Sequence, residues 1–193
     1  MITSSVSDFV CCLEERMTKK LFAEIPRIQS PRLVLKEVTL ADTSALQEFV
    51  NSPIVYRYLP TFLFERRYPD IRYVIDHLYT ECWKESIILG VYMKDEFCGL
   101  AEMYGYRDPL HKISLGCRLS DHSWGKGIAT EAVGMMVDYL YSETDIETIA
   151  ASTMIQNQAS ANVLRKNGFE LVVHASDEDW GYGKPTPTDK WIR

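Results

Sequence analysis

A glycine turn, Trp124-Gly125-Lys126-Gly127-Ile128-Ala129-Thr130-Glu131, connects a predicted strand over residues 111–119 to a predicted helix over residues 128–141. The glycines at positions 125 and 127 leave no Cβ in the turn, so a ligand can approach the backbone closely. The helix that follows offers unpaired N–H groups and the positive end of its dipole. Such a turn is typical of a backbone cradle for a pyrophosphate. The segment therefore predicts a protein that holds a diphosphate-bearing cofactor.

The composition favours a single globular domain with a sizeable core, since the chain has 193 residues, of which 46% are hydrophobic. The formal net charge is −6, and no face rich in lysine or arginine is evident, which argues against a nucleic-acid partner. The acidic balance is compatible with a cationic substrate such as an amine, and equally with ordinary solubility.

Several classes of protein and site are not favoured by the sequence. No run of eighteen apolar residues predicts a membrane span, and the first ten residues lack the basic region of a secretory signal. The odd number of cysteines, five, without a C-x-x-C pair favours free thiols and a cytoplasmic location. The four histidines are scattered without the spacing of metal ligands, so no metal site is expected.

Hydrophobic periodicity predicts the order of the elements. A first helix is expected where Phe9, Leu13, Met17 and Leu21 recur at helical spacing, and another lies over residues 69–84. Strands are expected at 33–38, 86–93, 97–107, 111–119, 148–154, 170–174 and 188–192, with a helix at 159–166 and a loop at 181–187. The order indicates a mixed α/β (α+β) domain with a largely antiparallel sheet and one parallel pair made by a strand–helix–strand crossover.

Four segments together resemble the GNAT family of N-acetyltransferases, and more closely its ribosomal-protein N-acetyltransferase (RimJ/RimL-like) branch. They are residues 30–35, 98–101, 116–132 and 157–169. The resemblance implies the GNAT fold over residues 30–193. That fold is a mostly antiparallel sheet of about six or seven strands with a central, splayed parallel pair, flanked by helices. Residues 1–29 fall outside it as an N-terminal helical extension.

The resemblance implies acetyl-coenzyme A as co-substrate and no metal. In the family the pyrophosphate lies on the main chain of the glycine turn, and the pantetheine arm pairs with the first strand of the splayed pair. Trp124 stands where the family commonly has Arg or Gln. The matching positions in this chain are Cys117, Leu119, Trp124, Gly125, Lys126, Gly127, Ile128, Ala129 and Thr130.

Two further polar positions have alternative explanations. Asn157 could bond the pantetheine or the acceptor, as the resemblance favours, or it could simply cap the helix that follows. Arg165 could reach the adenine end or the 3′-phosphate, or it could be a solvated charge on a helix surface.

Direct attack of an amine on a thioester needs a base, a donor to the carbonyl oxygen and a donor to the departing thiolate. Glu102, on a central strand, is the first candidate for the base unless it faces solvent; His111, His122 and Tyr104 are the alternatives. Many relatives carry a tyrosine as thiolate acid where this chain has Leu164, so Ser160 is the fallback donor. Cys117 as a nucleophile is disfavoured, because no histidine is near it in sequence.

The resemblance also places the acceptor beside the aromatic connection at residues 54–64, where Tyr56 and Tyr58 either line the cleft or pack the neighbouring helices. The implied function is acetyl transfer to a primary amine, a protein N-terminus or a small amine, in a ternary complex. The alternative is a coenzyme A-binding sensor or interaction module without turnover. Neither a nucleic acid nor a membrane is expected as a partner, and the protein is expected to be a monomer or homodimer.

Overall fold

The computed structural model describes residues 21, 23–61, 63–83 and 86–193, which build one sheet flanked by helices. The expected first helix lies outside the described residues except for Leu21. The strands are β1 Ile28–Gln29, β2 Leu33–Glu37, β3 Ser86–Met93, β4 Glu96–Arg107, β5 Lys112–Leu119, β6 Thr148–Met154, β7 Glu170–Glu178 and β8 Thr186–Ile192.

The sheet has the strand order β1-β2-β3-β4-β5-β6-β8-β7. Every neighbouring pair is antiparallel except β5 and β6. β3, β4 and β5 are consecutive antiparallel strands that form a meander, and the expected crossover from β5 to β6 runs through a long helix. The predicted fold class, a largely antiparallel mixed α/β sheet with one central parallel pair, is therefore confirmed.

The helices are α1 Thr43–Asn51, α2 at residues 71–82, α3 Ile128–Glu143 and α4 Gln158–Lys166. α2 is a composite of an α-helical turn Ile71–Tyr73, a π-helical segment Val74–Tyr79 and a last turn Thr80–Cys82. Asp70 caps its start by accepting a hydrogen bond from Arg72 N at 2.9 Å. Gly168, with φ +74°, follows α4 in the left-handed conformation that commonly ends a helix.

Alternation along the strands gives each face of the sheet its own core. On β5, Ile113, Leu115 and Leu119 belong to the apolar cluster that also contains the buried residues of α3. The second cluster includes buried residues of α1 and α2 together with Leu100 of β4. Arg118 and Gly116, which alternate with the first set on β5, therefore face the side of α1 and α2.

The parallel pairing of β5 with β6 is short. It comprises Lys112 with Thr148, Ile113 with Ile149, and Ser114 with Ala150. β5 continues to Leu119 and β6 to Met154, and no further pairing joins the two strands within the described residues. The sheet therefore opens in its middle at the carboxyl ends of these strands, as the resemblance implies.

The structure differs from the sequence predictions at both edges of the sheet. β1 is an additional strand that pairs with β2. It begins two residues before the expected domain start at residue 30. The division of the chain at that point stays a prediction. The expected loop at 181–187 is too long, because β8 already begins at Thr186 and pairs with β7 at Glu178. Thr186 is buried at the start of β8.

Candidate active site

The glycine turn has the geometry of a backbone cradle. Gly125 and Gly127 adopt φ values of +72° and +75°, and a Cβ built on either would meet no atom within 4 Å. Gly127 is the residue that precedes α3, so the first N–H groups of this sixteen-residue helix point past it. Open space, left-handed glycines and a helix N-terminus fit the diphosphate of coenzyme A.

A salt-bridged clamp fixes this turn to the start of β2. Arg32 contacts Glu131 in the first turns of α3, with 3.2 Å between Nε and Oε2, and its Nη2 donates to the carbonyl of Lys126 at 3.0 Å. The hydroxyl of Ser30 donates to Glu131 Oε1 at 2.6 Å. From the sequence, residues 30–35 contribute only to the family resemblance and to the strand expected at 33–38. The structure shows that their polar side chains also hold the glycine turn.

A cavity of about 1170 Å³ runs through the gap between β5 and β6. The peptide groups along its β5 wall alternate in direction. A Cβ on Gly99 of β4 would lie 2.2 Å from the Arg118 carbonyl oxygen, and Ser120 N donates to Cys98 O at 2.8 Å. The peptide groups of Arg118 and Ser120 thus point toward β4, so those of Cys117 and Leu119 point into the gap. The Leu119 carbonyl already accepts a hydrogen bond from the Trp124 indole at 2.8 Å.

The Cys117 thiol is held in its protonated form. Burial raises its pKa to about 12, Glu102 contributes in the same direction, and Arg118 opposes them. The side chain packs against the apolar cluster around α3. A thiol in this environment is a poor nucleophile, which leaves the backbone of Cys117 as the part that a ligand in the gap can use.

Glu102 reaches the cavity wall as one member of a buried polar cluster. Its Oε1 accepts a hydrogen bond from Arg118 Nε at 2.5 Å. Arg118 Nη1 donates to the Tyr56 hydroxyl at 3.0 Å, and Nη2 donates to Glu65 Oε1. Glu65 Oε1 also accepts from the Tyr79 hydroxyl at 3.3 Å. Burial by itself would lower the pKa of Arg118, but the two carboxylates raise it well above its ordinary value, so Arg118 stays charged.

Neither Arg118 nor Glu65 was identified from the sequence as a site residue. Glu65 lies in the short 3-10 helix Phe64–Arg66, and its side chain is fully buried against Arg118. The connection from α1 to α2 thus brings a buried carboxylate to the face of the sheet that carries Glu102. No sequence signal indicates this role, because Glu65 begins the charged run Glu-Arg-Arg, which is typical of an exposed segment.

Asn157 and Ser160 lie on the opposite wall of the cavity, at the start of α4. Asn157 Oδ1 accepts a hydrogen bond from Ser160 N at 3.2 Å, so the side chain caps the helix as one of the two interpretations expected. The bond uses only the carbonyl oxygen of the Asn157 amide, and both residues line the cavity. Arg165, in the last turn of α4, lies with its guanidinium 5.1 Å from the Trp191 ring centroid and donates to Asn162.

The connection at residues 54–64 and the β7–β8 hairpin meet beside the cavity. Thr61 N donates to the Trp180 carbonyl at 2.9 Å, and the Tyr182 hydroxyl donates to the Leu59 carbonyl at 2.7 Å. Tyr58 lines the cavity beneath this contact. Tyr56 is buried against Arg118 instead, so the two tyrosines take different positions.

The structure brings most of the expected site residues to one cavity. Those that line it are Tyr58, Glu102, Cys117, Leu119, Trp124, Gly125, Gly127, Ile128, Ala129, Thr130, Asn157 and Ser160. Lys126, Arg165 and Tyr56 do not line it. Within the described ranges, no group of three or more His, Cys, Asp or Glu side chains could hold a metal ion. No helix in the described part of the chain is both long and apolar enough to cross a membrane.

Relatives share both sequence and fold with this chain. It is 25% identical over 145 residues to the uncharacterized N-acetyltransferase p20 of Bacillus licheniformis, which covers 74% of this chain and 82% of that protein. RimL, the ribosomal L7/L12 α-N-protein acetyltransferase solved in complex with coenzyme A, superposes with a TM-score of 0.77 at 16% identity. The match covers 87% of this chain and 97% of RimL.

A second solved structure, spermidine N-acetyltransferase from Vibrio cholerae in complex with coenzyme A and spermine, gives a TM-score of 0.71 at 16% identity. It covers 85% of this chain and 96% of the other. Residues 32–170 match the family of the acetyltransferase (GNAT) domain. This match spans the cradle, the open pair of strands and Glu102. The chain therefore belongs to the GNAT family of acetyltransferases and is an acyltransferase that uses acetyl-coenzyme A.

Proposed function

We propose that this protein transfers an acetyl group from acetyl-coenzyme A to a primary amine by direct attack within a ternary complex. The observation that supports this most strongly is the shared cavity. It joins the glycine cradle, the gap between β5 and β6, and the carboxylate of Glu102. Donor and acceptor can therefore meet without a covalent enzyme intermediate, and the protonated Cys117 thiol agrees with that.

The donor supplies a thioester, and the chain supplies the groups that hold it. The main chain of residues 125–130 would bind the diphosphate, and the outward peptide group of Cys117 would pair with the pantetheine arm. The Cys117 N–H is the candidate donor to the thioester carbonyl. Ser160, across the gap, is the candidate for a hydrogen bond to the leaving sulfur, and the unused amide nitrogen of Asn157 is a further donor on that wall.

On the acceptor side, Glu102 is the proposed base. Its Oε1 is held by Arg118, while the side chain remains 16% exposed at the cavity wall. A carboxylate with one fixed and one open oxygen can bind an ammonium group and take its proton, directly or through water. Tyr58 and the contact between the 54–64 connection and the hairpin would border the acceptor. A protein N-terminus and a small amine both satisfy this chemistry, as the acceptors named for RimL and the Vibrio enzyme illustrate.

Two measurements test the proposal. Acetyl-coenzyme A should raise the melting temperature, because a ligand that binds only the folded state stabilises it. With a panel of small amines and N-terminal peptides, the protein should then release free thiol. Stabilisation without thiol release for any amine would support the alternative, a coenzyme A-binding module without turnover. Absence of stabilisation would contradict both.

A further inference from the structure

The buried cluster around Arg118 holds a carboxylate that the proposed chemistry leaves unused. Glu65 lies at the back of the cluster with a completely buried side chain, whereas Glu102 lies at the front and reaches the cavity. A buried carboxylate is costly unless it is paired, so its presence here needs a reason. Arg118 is the only cation with which the structure pairs it among the described residues.

The hydrogen bonds of Arg118 are distributed over three partners, and this distribution determines what Glu102 can do. Nε donates to Glu102, Nη1 to Tyr56 and Nη2 to Glu65. A guanidinium that faced Glu102 alone would engage both of its oxygens, which is the preferred geometry of such pairs. Because Glu65 and Tyr56 occupy the outer nitrogens, only Oε1 of Glu102 is held.

The charges follow the same division. The guanidinium carries one positive charge and the two carboxylates one negative charge each, so the cluster has an excess negative charge. Glu65 Oε2 is buried and has no hydrogen-bond donor among the described residues. No described group at the back of the cluster therefore compensates the excess negative charge. A cation can compensate it at the side of Glu102 that faces the cavity.

We propose that Glu65 is a positioning residue: it balances and orients Arg118, so that Glu102 presents a charged carboxylate with one open oxygen to the acceptor ammonium. The inference rests on the proposed function, since it assigns Glu65 a part in binding the amine. It distinguishes Glu65 from a residue that merely stabilises the fold. The charge of Glu65, and not its packing, should control the affinity for the acceptor.

The variants Glu65→Gln and Glu65→Asp separate charge from packing. Gln keeps the size and can still accept from Arg118, but it removes the charge; Asp keeps the charge and leaves a small void. We expect Glu65→Gln to raise KM for an amine about tenfold, because the cluster loses the excess negative charge that attracts the ammonium group, with an unchanged affinity for acetyl-coenzyme A. Glu65→Asp should lower the melting temperature while its KM stays near that of the wild type. The exposed Glu37 provides the control Glu37→Gln, which should change neither.

The proposal would be overturned if KM rose in whichever variant loses stability, including Glu65→Asp, which keeps the charge. If Glu65→Gln does not fold, the pair Glu65→Leu with Arg118→Met removes both buried charges and keeps the excess charge on Glu102. The double variant should retain KM, because the net charge beside the acceptor is unchanged. Its kcat should fall, because Glu102 loses the contact with Arg118 that holds it. A KM raised tenfold would contradict the charge balance. If the wild type releases no thiol, the proposed function fails. Binding of ethylenediamine to the protein saturated with coenzyme A, measured by calorimetry, still tests Glu65, because only Glu65→Gln should weaken it.

Discussion

At the scale of single residues, the clearest requirement is at Gly127. Its φ of +75° and its open surroundings leave room for a ligand on the turn. We expect Gly127→Glu to weaken coenzyme A binding about a hundredfold, because the side chain fills the cradle and its charge repels the diphosphate. Isothermal calorimetry with coenzyme A measures this directly.

Gly183 offers a matched control for Gly127. It has φ +70°, a Cβ there would also meet nothing within 4 Å, and it does not line the cavity. Gly183→Glu therefore imposes the same backbone strain and the same added charge away from the donor site. It should bind coenzyme A like the wild type. Equal losses in both variants would show that the strain, and not the cradle, determines the effect.

Glu102 is the second residue with a specific expectation. Glu102→Gln should lower kcat by a factor of about 10² to 10⁴, the usual contribution of a general base, with the affinity for acetyl-coenzyme A retained. The exposed Glu37 lies outside the cavity lining, so Glu37→Gln is the control of identical chemistry and should keep normal turnover. Normal turnover in Glu102→Gln would remove Glu102 as the base.

The sequence predicts some of these site residues and not others, because only some of them belong to local patterns. The glycine turn and Glu102 belong to local patterns, a strand–turn–helix and a strand in a meander. Glu65 and Arg118 are 53 positions apart and meet only because the connection from α1 to α2 folds over the sheet. Beside Arg66 and Arg67, Glu65 has the pattern of an exposed charged run. A buried pair of this kind gives no periodic signal.

At the scale of elements, hydrophobic periodicity predicts the existence and type of a helix or strand better than its internal geometry. The spacing of apolar residues predicts α2, yet the π-helical segment Val74–Tyr79 within it follows the same apolar spacing and cannot be distinguished from an α-helix. β1 has only two residues, too few to show alternation. Its pairing with β2 is a tertiary contact that no local pattern predicts.

The start of α4 provides a test of two roles for Asn157. Asn157→Ala removes the cap bond to Ser160 N and should cost about 1 kcal/mol of stability. Asn157→Asp keeps a capping oxygen but loses the amide donor. We expect it to retain the melting temperature and to bind coenzyme A about tenfold more weakly if the amide contacts the donor. An unchanged affinity in Asn157→Asp would leave Asn157 as a cap only.

At the scale of the whole molecule, the buried ionisable groups predict how stability depends on pH. Burial raises the pKa of Tyr56 to about 12, and Glu65 and Glu102 add to this while Arg118 and Arg66 oppose it. Burial likewise raises the pKa of Cys117 to about 12. Both groups bind their proton more tightly in the folded state than in the unfolded chain, where their ordinary values are 10.0 and 9.0. Their contribution to stability is complete below pH 9.0 and is lost as the pH rises toward 12.

Urea unfolding between pH 8 and 11.5 should therefore show a steep fall in the free energy of unfolding on the alkaline side. In Tyr56→Phe the slope of this fall should be shallower, because one of the groups whose pKa is raised by burial no longer titrates. The variant should be less stable at neutral pH, since Arg118 Nη1 loses its acceptor. A slope identical to that of the wild type would show that Tyr56 does not ionise differently on unfolding.

The open pair of strands has a consequence for the empty protein. Three residue pairs of β5 and β6 are the only strand pairing that joins β1–β5 to β6–β8 in the described chain. Beyond them, the amide hydrogens of Cys117 and Leu119 have no strand partner among the described residues, and the proposed mode of binding would let the acyl carrier supply one. Deuterium uptake at these two positions should thus report the saturation of the enzyme by its donor. A cell short of thioester would then hold this protein in a form more open to proteases.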